Sequence, residues 1–141
     1  RRVRLGHRHT TALIDVVRAA VLVGLDRHAE AADVCDDLLD TLPRAGAWAE
    51  VGAAMHLSAE LLTVHDEVPT AAVLLAAAAI DRATPPFLTP DRVTATRARV
   101  AAALTAGELD AANAHGIGLG RAAAAAYARE ALARHRVRSR W

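Results

Sequence analysis

Three aspartates offer the sharpest chemical hypothesis in this sequence. Asp36, Asp37 and Asp40 form a DDxxD pattern, in which carboxylates one helical turn apart can hold Mg²⁺ and a bound diphosphate. That chemistry also needs a second metal-binding motif and a deep apolar barrel, which 141 residues with one Phe, one Tyr and two Trp do not supply. We therefore interpret the aspartates as a solvated acidic helix face, with a magnesium-dependent diphosphate enzyme as the lesser alternative.

The seven histidines raise the question of a metal site. A structural zinc site needs four ligands that converge in tetrahedral geometry. His7 and His9 lie two residues apart near one end, His65 falls in a predicted turn, and no His-x-x-x-His or Glu-x-x-His pair occurs. We interpret the histidines as surface or capping residues, so no metal and no cofactor is expected.

Two further features that resemble reactive groups have simpler interpretations. The lone Cys35 cannot form an internal disulfide, and its place on an apolar helical stripe predicts a buried, unreactive thiol in a reducing compartment. The segment Gly116-Ile117-Gly118-Leu119-Gly120 lacks both a preceding strand and the full nucleotide-binding fingerprint, so it is interpreted as a turn. The sequence therefore predicts a protein that is not an enzyme.

Composition indicates one helical domain over residues 1–141. Alanine accounts for 36 residues and all 17 basic residues are arginine, a usage typical of a GC-rich bacterial genome. Alanine is the best helix former, and its short side chain lets helices approach closely. The longest apolar run, residues 71–80, is shorter than the roughly 20 residues that a membrane helix needs, and no signal peptide is evident. A cytoplasmic protein without membrane contact is expected.

A 40-residue echo predicts that one helix pair is built twice. The segments that begin at Asp26 and Asp66 are followed, in step, by small and apolar residues at helical spacing. These matching residues are Ala31, Cys35 and Leu38 in the first copy and Ala71, Leu75 and Ala78 in the second. The fold class is therefore all-α, with antiparallel helical hairpins over about residues 10–42 and 47–83.

Helix boundaries follow from apolar spacing and from prolines. Pro43 is expected to end a helix, Pro69 to begin one, and Thr89 to cap another whose first residue is Pro90. Capping helices follow the hairpins over about residues 90–136. The predicted helices span approximately residues 10–24, 27–42, 47–64, 69–83, 90–107, 108–115 and 121–136.

Several segments together resemble a known family. The residues from Ala31 to Pro43 have the spacing of a tetratricopeptide second helix, residues 71–78 look like an "A-x-LLGAA" helix, and residues 88–92 resemble "PL-x-PAxR". Gly107-Glu108 and Gly118 are similar to a closing "GE…G" segment. Over about residues 5–132 the chain thus resembles the C-terminal tetratricopeptide-like helical region of large ATP-dependent bacterial transcriptional regulators of the AfsR and LuxR types.

The resemblance has consequences for fold and function. It implies an α-solenoid that serves as a noncatalytic protein-interaction or signal-sensing module of a transcriptional regulator. The 40-residue period exceeds the usual 34 residues of the tetratricopeptide repeat. Ala111 and His115 stand where the family usually has Phe and Trp, so the closing segment is expected to pack differently. A small-molecule sensor with a pocket beside Met55 and Leu62, between the two hairpins, is the alternative function.

The partner surface is predicted on the concave side, which the first helix of each hairpin lines in such repeats. Its outward candidates are Arg18, Glu50, Ala53, His56 and Glu60. The expected partner is a protein, an adjacent domain of a longer regulator, or a second copy of the chain through alanine-rich helix faces.

Charge is distributed unevenly, with nine of the 17 arginines in residues 1–8 and 129–140. Residues 9–128 hold eight arginines and 15 acidic residues, a balance of −7. Basic ends of this kind can contact phosphates or dock on an acidic neighbour. Without aromatic stacking residues or a recognition helix, direct nucleic-acid binding is not expected.

Overall fold

Seven α-helices make up the part of the chain that the structure describes. This structure is a computed structural model that describes residues 2–80, 85 and 87–137, with side chains for residues 11–80, 85 and 87–136. No described residue lies in a strand, and no described helix is long and apolar enough to cross a membrane. The helices are Arg2–Gly24 (α1), His28–Ala45 (α2), Trp48–Val64 (α3), Val68–Ala78 (α4), Pro90–Ala103 (α5), Ala106–Leu119 (α6) and Arg121–Val137 (α7).

Most predicted helices are present, but several boundaries differ. Pro43 lies inside the last turn of α2 and does not end it, and α4 ends at Ala78, before the predicted residue 83. The predicted break at the glycines is wrong, because α6 continues through Gly116 and Gly118. Part of the predicted proline link, and the side chains of residues 2–10, lie outside the described residues.

The first three interhelical turns share one geometry. At each turn the backbone takes a left-handed conformation, and the next N–H donates to the carbonyl of a leucine five residues earlier. This is the Schellman arrangement, which satisfies carbonyls at a helix end. The left-handed residues are Asp26, Gly46 and Asp66; the donor and acceptor pairs are Arg27 to Leu22 (2.9 Å), Ala47 to Leu42 (3.1 Å) and Glu67 to Leu62 (2.9 Å).

The two hairpins also bury matching positions. The α1–α2 hairpin and the α3–α4 hairpin each pack one helix closely on the other. Residues 40 positions apart share a buried environment in both helices of the pair. The buried pairs are Val16 and His56, Ala19 and Ala59, Leu22 and Leu62, Ala31 and Ala71, Cys35 and Leu75, and Leu38 and Ala78. The echo in the sequence therefore corresponds to a repeated structural unit.

The last three helices do not form a third hairpin of the same kind. α5 packs beside α4 and α3, whereas α6 packs mainly against α4. α7 returns along the chain and contacts α2, α3 and α4, so it spans the second helix of both hairpins. Its buried stripe consists of Ala124, Ala125, Ala128, Ala131 and Leu132. α7 therefore covers one side of both hairpins, unlike the units of an open solenoid, which contact only their neighbours.

Candidate interaction surface

One face of α1 presents large apolar side chains to solvent. Ile14 is 60% exposed, Val17 47%, Val21 53% and Leu25 62%. Ile14, Val17 and Val21 lie on α1, and Leu25 directly follows its last residue. Their spacing of three and four residues places them in one row. We call these four residues the α1 stripe. A row of apolar side chains of this kind is typical of an interaction surface.

The repeat shows how unusual this exposure is. Ala54, Leu57 and Leu61 lie on α3, 40 positions after Ile14, Val17 and Val21, and each is 0% exposed. α3 is enclosed by α1, α2, α4 and α7, whereas α1 packs mainly against α2 and α3. The same face of the repeated unit is therefore interior in α3 and open in α1.

Among the side chains that the structure describes, the cation beside the α1 stripe is Arg18. Arg18 is exposed and lies four residues after Ile14 and three before Val21, so it lies at the edge of the stripe. Its counterpart 40 positions later, Ser58, is fully buried on α3. The surface thus combines an apolar row with one positive charge, a pattern that favours a partner with an acidic residue at the matching place.

The predicted concave surface is wrong for four of its five residues. Only Arg18 is exposed, whereas Glu50, Ala53 and His56 are buried and Glu60 is largely buried. For Glu60 the reason is its contact with α5, which packs beside α3. Arg92 on α5 donates through Nε to both carboxylate oxygens of Glu60, at 3.1 and 2.8 Å, and through Nη2 to the carbonyl of Ala20 on α1 at 3.2 Å.

Glu60 joins three helices through its charge. Burial alone would raise the pKa of this carboxyl, but hydrogen bonds and charge from His56 and Arg92 outweigh burial, so the pKa is lowered. His56 Nε2 lies 3.1 Å from Glu60 Oε2 within α3. The ionised carboxylate therefore stabilises the contact of α3 with α5 and, through Arg92, with α1.

We expect the variant Glu60→Gln to lose about 1–3 kcal/mol of unfolding free energy, because it leaves the partly buried guanidinium of Arg92 without a counter-charge. Urea unfolding at neutral pH measures the loss. The exposed Glu130→Gln is the matched control and should change stability by less than about 0.5 kcal/mol. Equal effects of the two variants would contradict a stabilising role for the Glu60 contact.

Two aspartates of the DDxxD pattern, Asp36 and Asp40, form ion pairs with arginines. Arg129 on α7 contacts Asp36 at 2.9 Å and Asp40 at 3.0 Å, and Arg44 contacts Asp40 at 2.7 Å. The hydrogen bond to Asp36 is the main reason that the pKa of Arg129 is raised. Asp37 is exposed. The acidic face of α2 therefore serves as a docking surface for α7 of the same chain.

The other groups singled out in the sequence are candidate metal ligands, the thiol of Cys35 and the glycines of α6. Among the described residues, no group of three or more His, Cys, Asp or Glu side chains is arranged to hold a metal ion. Cys35 is buried, and burial raises the pKa of its thiol to about 12, which leaves it unreactive at neutral pH. Gly116 and Gly118 lie within α6, so they do not form a phosphate-binding loop.

Met55 and Leu62, beside which the alternative function places its pocket, are both buried in the core. A cavity of about 310 Å³ lies elsewhere, between α4, α5 and α6. Its walls are mainly alanine, valine and leucine, with Arg97 and Asn113 as the polar lining residues.

Sequence reasoning missed the α1 stripe, although a signal was present. α1 carries apolar residues around most of its circumference, including Leu13 and Val16 as well as Ile14 and Val17. Such a helix has more apolar surface than a single hairpin partner can cover. A comparison of α1 with α3 in register would have found the uncovered face.

No family model, no curated protein and no solved structure matches this chain.

Proposed function

We propose that the chain is a noncatalytic protein-interaction module that binds a helical partner through the α1 stripe. The observation that carries this proposal is that Ile14, Val17 and Val21 are exposed on α1. Their counterparts on α3, namely Ala54, Leu57 and Leu61, are fully buried. The elements that contact α3 are the helices α1, α2, α4, α5 and α7. Covering half-exposed Val, Leu and Ile side chains contributes about 1 kcal/mol each. The four side chains thus supply about 4 kcal/mol of favourable energy, and contacts around the stripe must supply the rest, because association itself is costly.

The chemistry of the surface defines the partner. A helix with a complementary apolar row fits the α1 stripe, as helix packing requires interdigitating side chains. An acidic residue on that helix would pair with Arg18. A second copy of the chain is the simplest such partner, because one self-complementary surface can pair about a two-fold axis. The tetratricopeptide-like arrangement of stacked hairpins is part of this proposal.

Sedimentation velocity over a range of protein concentrations tests whether the partner is a second copy of the chain. The variant Val21→Asp places a charge in the middle of the α1 stripe and should shift any dimer to monomer. Ala123→Asp is the control, because this exposed alanine of α7 receives the same charge away from the stripe. The proposal is supported if the wild-type chain is a dimer, the Val21→Asp variant is a monomer and the Ala123→Asp variant remains a dimer.

If the chain sediments as a monomer, a photo-crosslinking residue at position 17 tests a different partner in cells. The expected product joins position 17 to an apolar face of a helix, in another protein or in an adjacent domain of a longer chain. The same probe at position 123 is the control. The proposed function would be contradicted if the chain is a monomer and the probe at position 17 gives no crosslinked product that the probe at position 123 does not also give.

The proposed setting is a bacterial transcriptional regulator in the cytoplasm, with the chain as a platform beside other domains. The support for this setting is the resemblance of residues 31–43, 71–78 and 88–92 to the AfsR and LuxR types. The genomic sequence around the coding region tests it. An adjoining ATPase domain would support the regulator, and an adjoining catalytic domain would contradict it.

A further inference from the structure

Three histidines from separate elements meet at one end of the hairpins. His28 begins α2, His65 follows α3, and His135 lies near the end of α7. His28 Nδ1 and His65 Nε2 are 3.0 Å apart, and the two rings meet edge to face with centroids 5.1 Å apart. The rings of His65 and His135 have centroids 5.8 Å apart, and His135 is buried. We call these three residues the histidine cluster.

Charged groups from both turns and from α7 surround the histidine cluster. In the α1–α2 turn, Asp26 Oδ1 lies 3.5 Å from His28 Nε2, but its side chain is exposed, so water and salt weaken its attraction. In the α3–α4 turn, Asp66 follows His65, and Glu67 Oε1 lies 3.2 Å from His135 Nε2. From α7, Arg134 Nη2 lies 3.5 Å from Glu67 Oε2.

The contact between His28 and His65 depends on protonation. An N···N hydrogen bond needs one nitrogen that donates and one that accepts, so at least one of the two rings must be neutral. When both rings carry two protons, two N–H groups face each other and the hydrogen bond is lost. A charged His65 also faces His135, with Arg134 nearby, and the single carboxylate of Glu67 is shared between His135 and Arg134.

The pKa of His65 is lowered, first by burial and then by the charges of His28 and His135, while Asp66 partly opposes them. A lowered histidine pKa means that the folded state favours the neutral ring. Its stabilising contribution is present above the ordinary histidine pKa of about 6.5. The contribution is lost as the pH falls from there through the lowered pKa, because the unfolded chain then binds more protons.

We propose that the histidine cluster is an acid-sensitive latch that holds the end of α7 across both hairpins near neutral pH. Acidification charges the imidazoles and loosens the part of α7 around His135. The contacts of Arg129 with Asp36 and Asp40 lie more than one helical turn away and involve no histidine, so they hold the earlier part of α7 in place. Opening of α7 uncovers part of the surfaces of α2 and α4 that α7 covers. The latch operates independently of the α1 stripe.

Hydrogen exchange tests the latch, with rates corrected for the intrinsic effect of pH. Between about pH 7.5 and pH 5.5, a window in which histidines titrate and carboxylates do not, the amides of residues 130–136 should lose protection several-fold. The amides of α3 should retain theirs. His65→Gln keeps an amide donor near His28 but does not titrate, so most of the pH-dependent loss should disappear.

His115→Gln is the matched control, because His115 is exposed on α6 and contacts Tyr127 instead of the cluster. This variant should lose protection in α7 as the wild type does. Either of two results would overturn the latch. In the first, the wild-type protein keeps the hydrogen-exchange protection of residues 130–136 at the lower pH. In the second, the His65→Gln variant loses as much of this protection as the wild type. Should His65→Gln not fold, the imidazole titration of the wild type by NMR decides: a His65 midpoint at or above that of His115 overturns the proposal.

Discussion

Replacing Gly116 by alanine is expected to destabilise the protein by roughly 3 kcal/mol, although alanine is the better helix former. A Cβ on Gly116 would lie 2.3 Å from the carbonyl oxygen of Val73, 2.8 Å from the Cβ of Ala76 and 3.1 Å from the backbone nitrogen of Ala77. Two of these obstacles are backbone atoms, which cannot rotate away. α6 would have to move off α4, the helix with which it makes its most extensive contact.

Gly118→Ala is the matched control within the same helix. A Cβ at this position meets no atom within 4 Å, so alanine should stabilise α6 by about 0.5–1 kcal/mol through its helix propensity. Urea unfolding of both variants measures the difference. If the two substitutions shift stability in the same direction and by a similar amount, α6 does not approach α4 as closely as the structure describes.

Leu61→Ala is expected to cost about 2–5 kcal/mol, because this fully buried side chain of α3 leaves a cavity when it is truncated. Its counterpart in the repeat is Val21 on α1, and Val21→Ala should change stability by no more than about 0.5 kcal/mol. Thermal or urea unfolding of the isolated chain compares the two variants. A loss for Val21→Ala that approaches that for Leu61→Ala would mean that the α1 stripe is already covered.

Local features of the fold were predictable because their causes are local. The periodicity after Asp26 and Asp66 reflects a stripe that each second helix buries, so the buried positions of α2 and α4 were visible in the sequence. Thr89 is an N-cap, as predicted, and its hydroxyl accepts from the N–H of Arg92 at 3.2 Å.

One local signal was overlooked. Thr105 and Glu108 form a capping box that starts α6, which is why the predicted helix to residue 107 in fact ends at Ala103. The capping hydrogen bonds also lower the pKa of the exposed Glu108, chiefly through the N–H of Thr105.

Contacts between distant segments were not predictable, since no local pattern encodes them. Arg129 and Asp36 are 93 residues apart in sequence, and only the return of α7 brings them together. The same return places His135 beside His65, a pair that spacing in the sequence does not suggest. The predicted surface failed at Glu60 for a similar reason, because the position of α5 depends on the path of the chain after α4.

Thiol labelling tests the central claim most directly, namely that one helix face lies inside the protein in α3 and outside it in α1. Val17→Cys and Leu57→Cys place a thiol at equivalent positions of the two hairpins, and the buried Cys35 supplies the unreactive background. In dilute native protein, the thiol at position 17 should react as fast as a free cysteine. The thiol at position 57 and Cys35 should react only after unfolding. Equal reactivity at positions 17 and 57 in the folded chain would contradict the account.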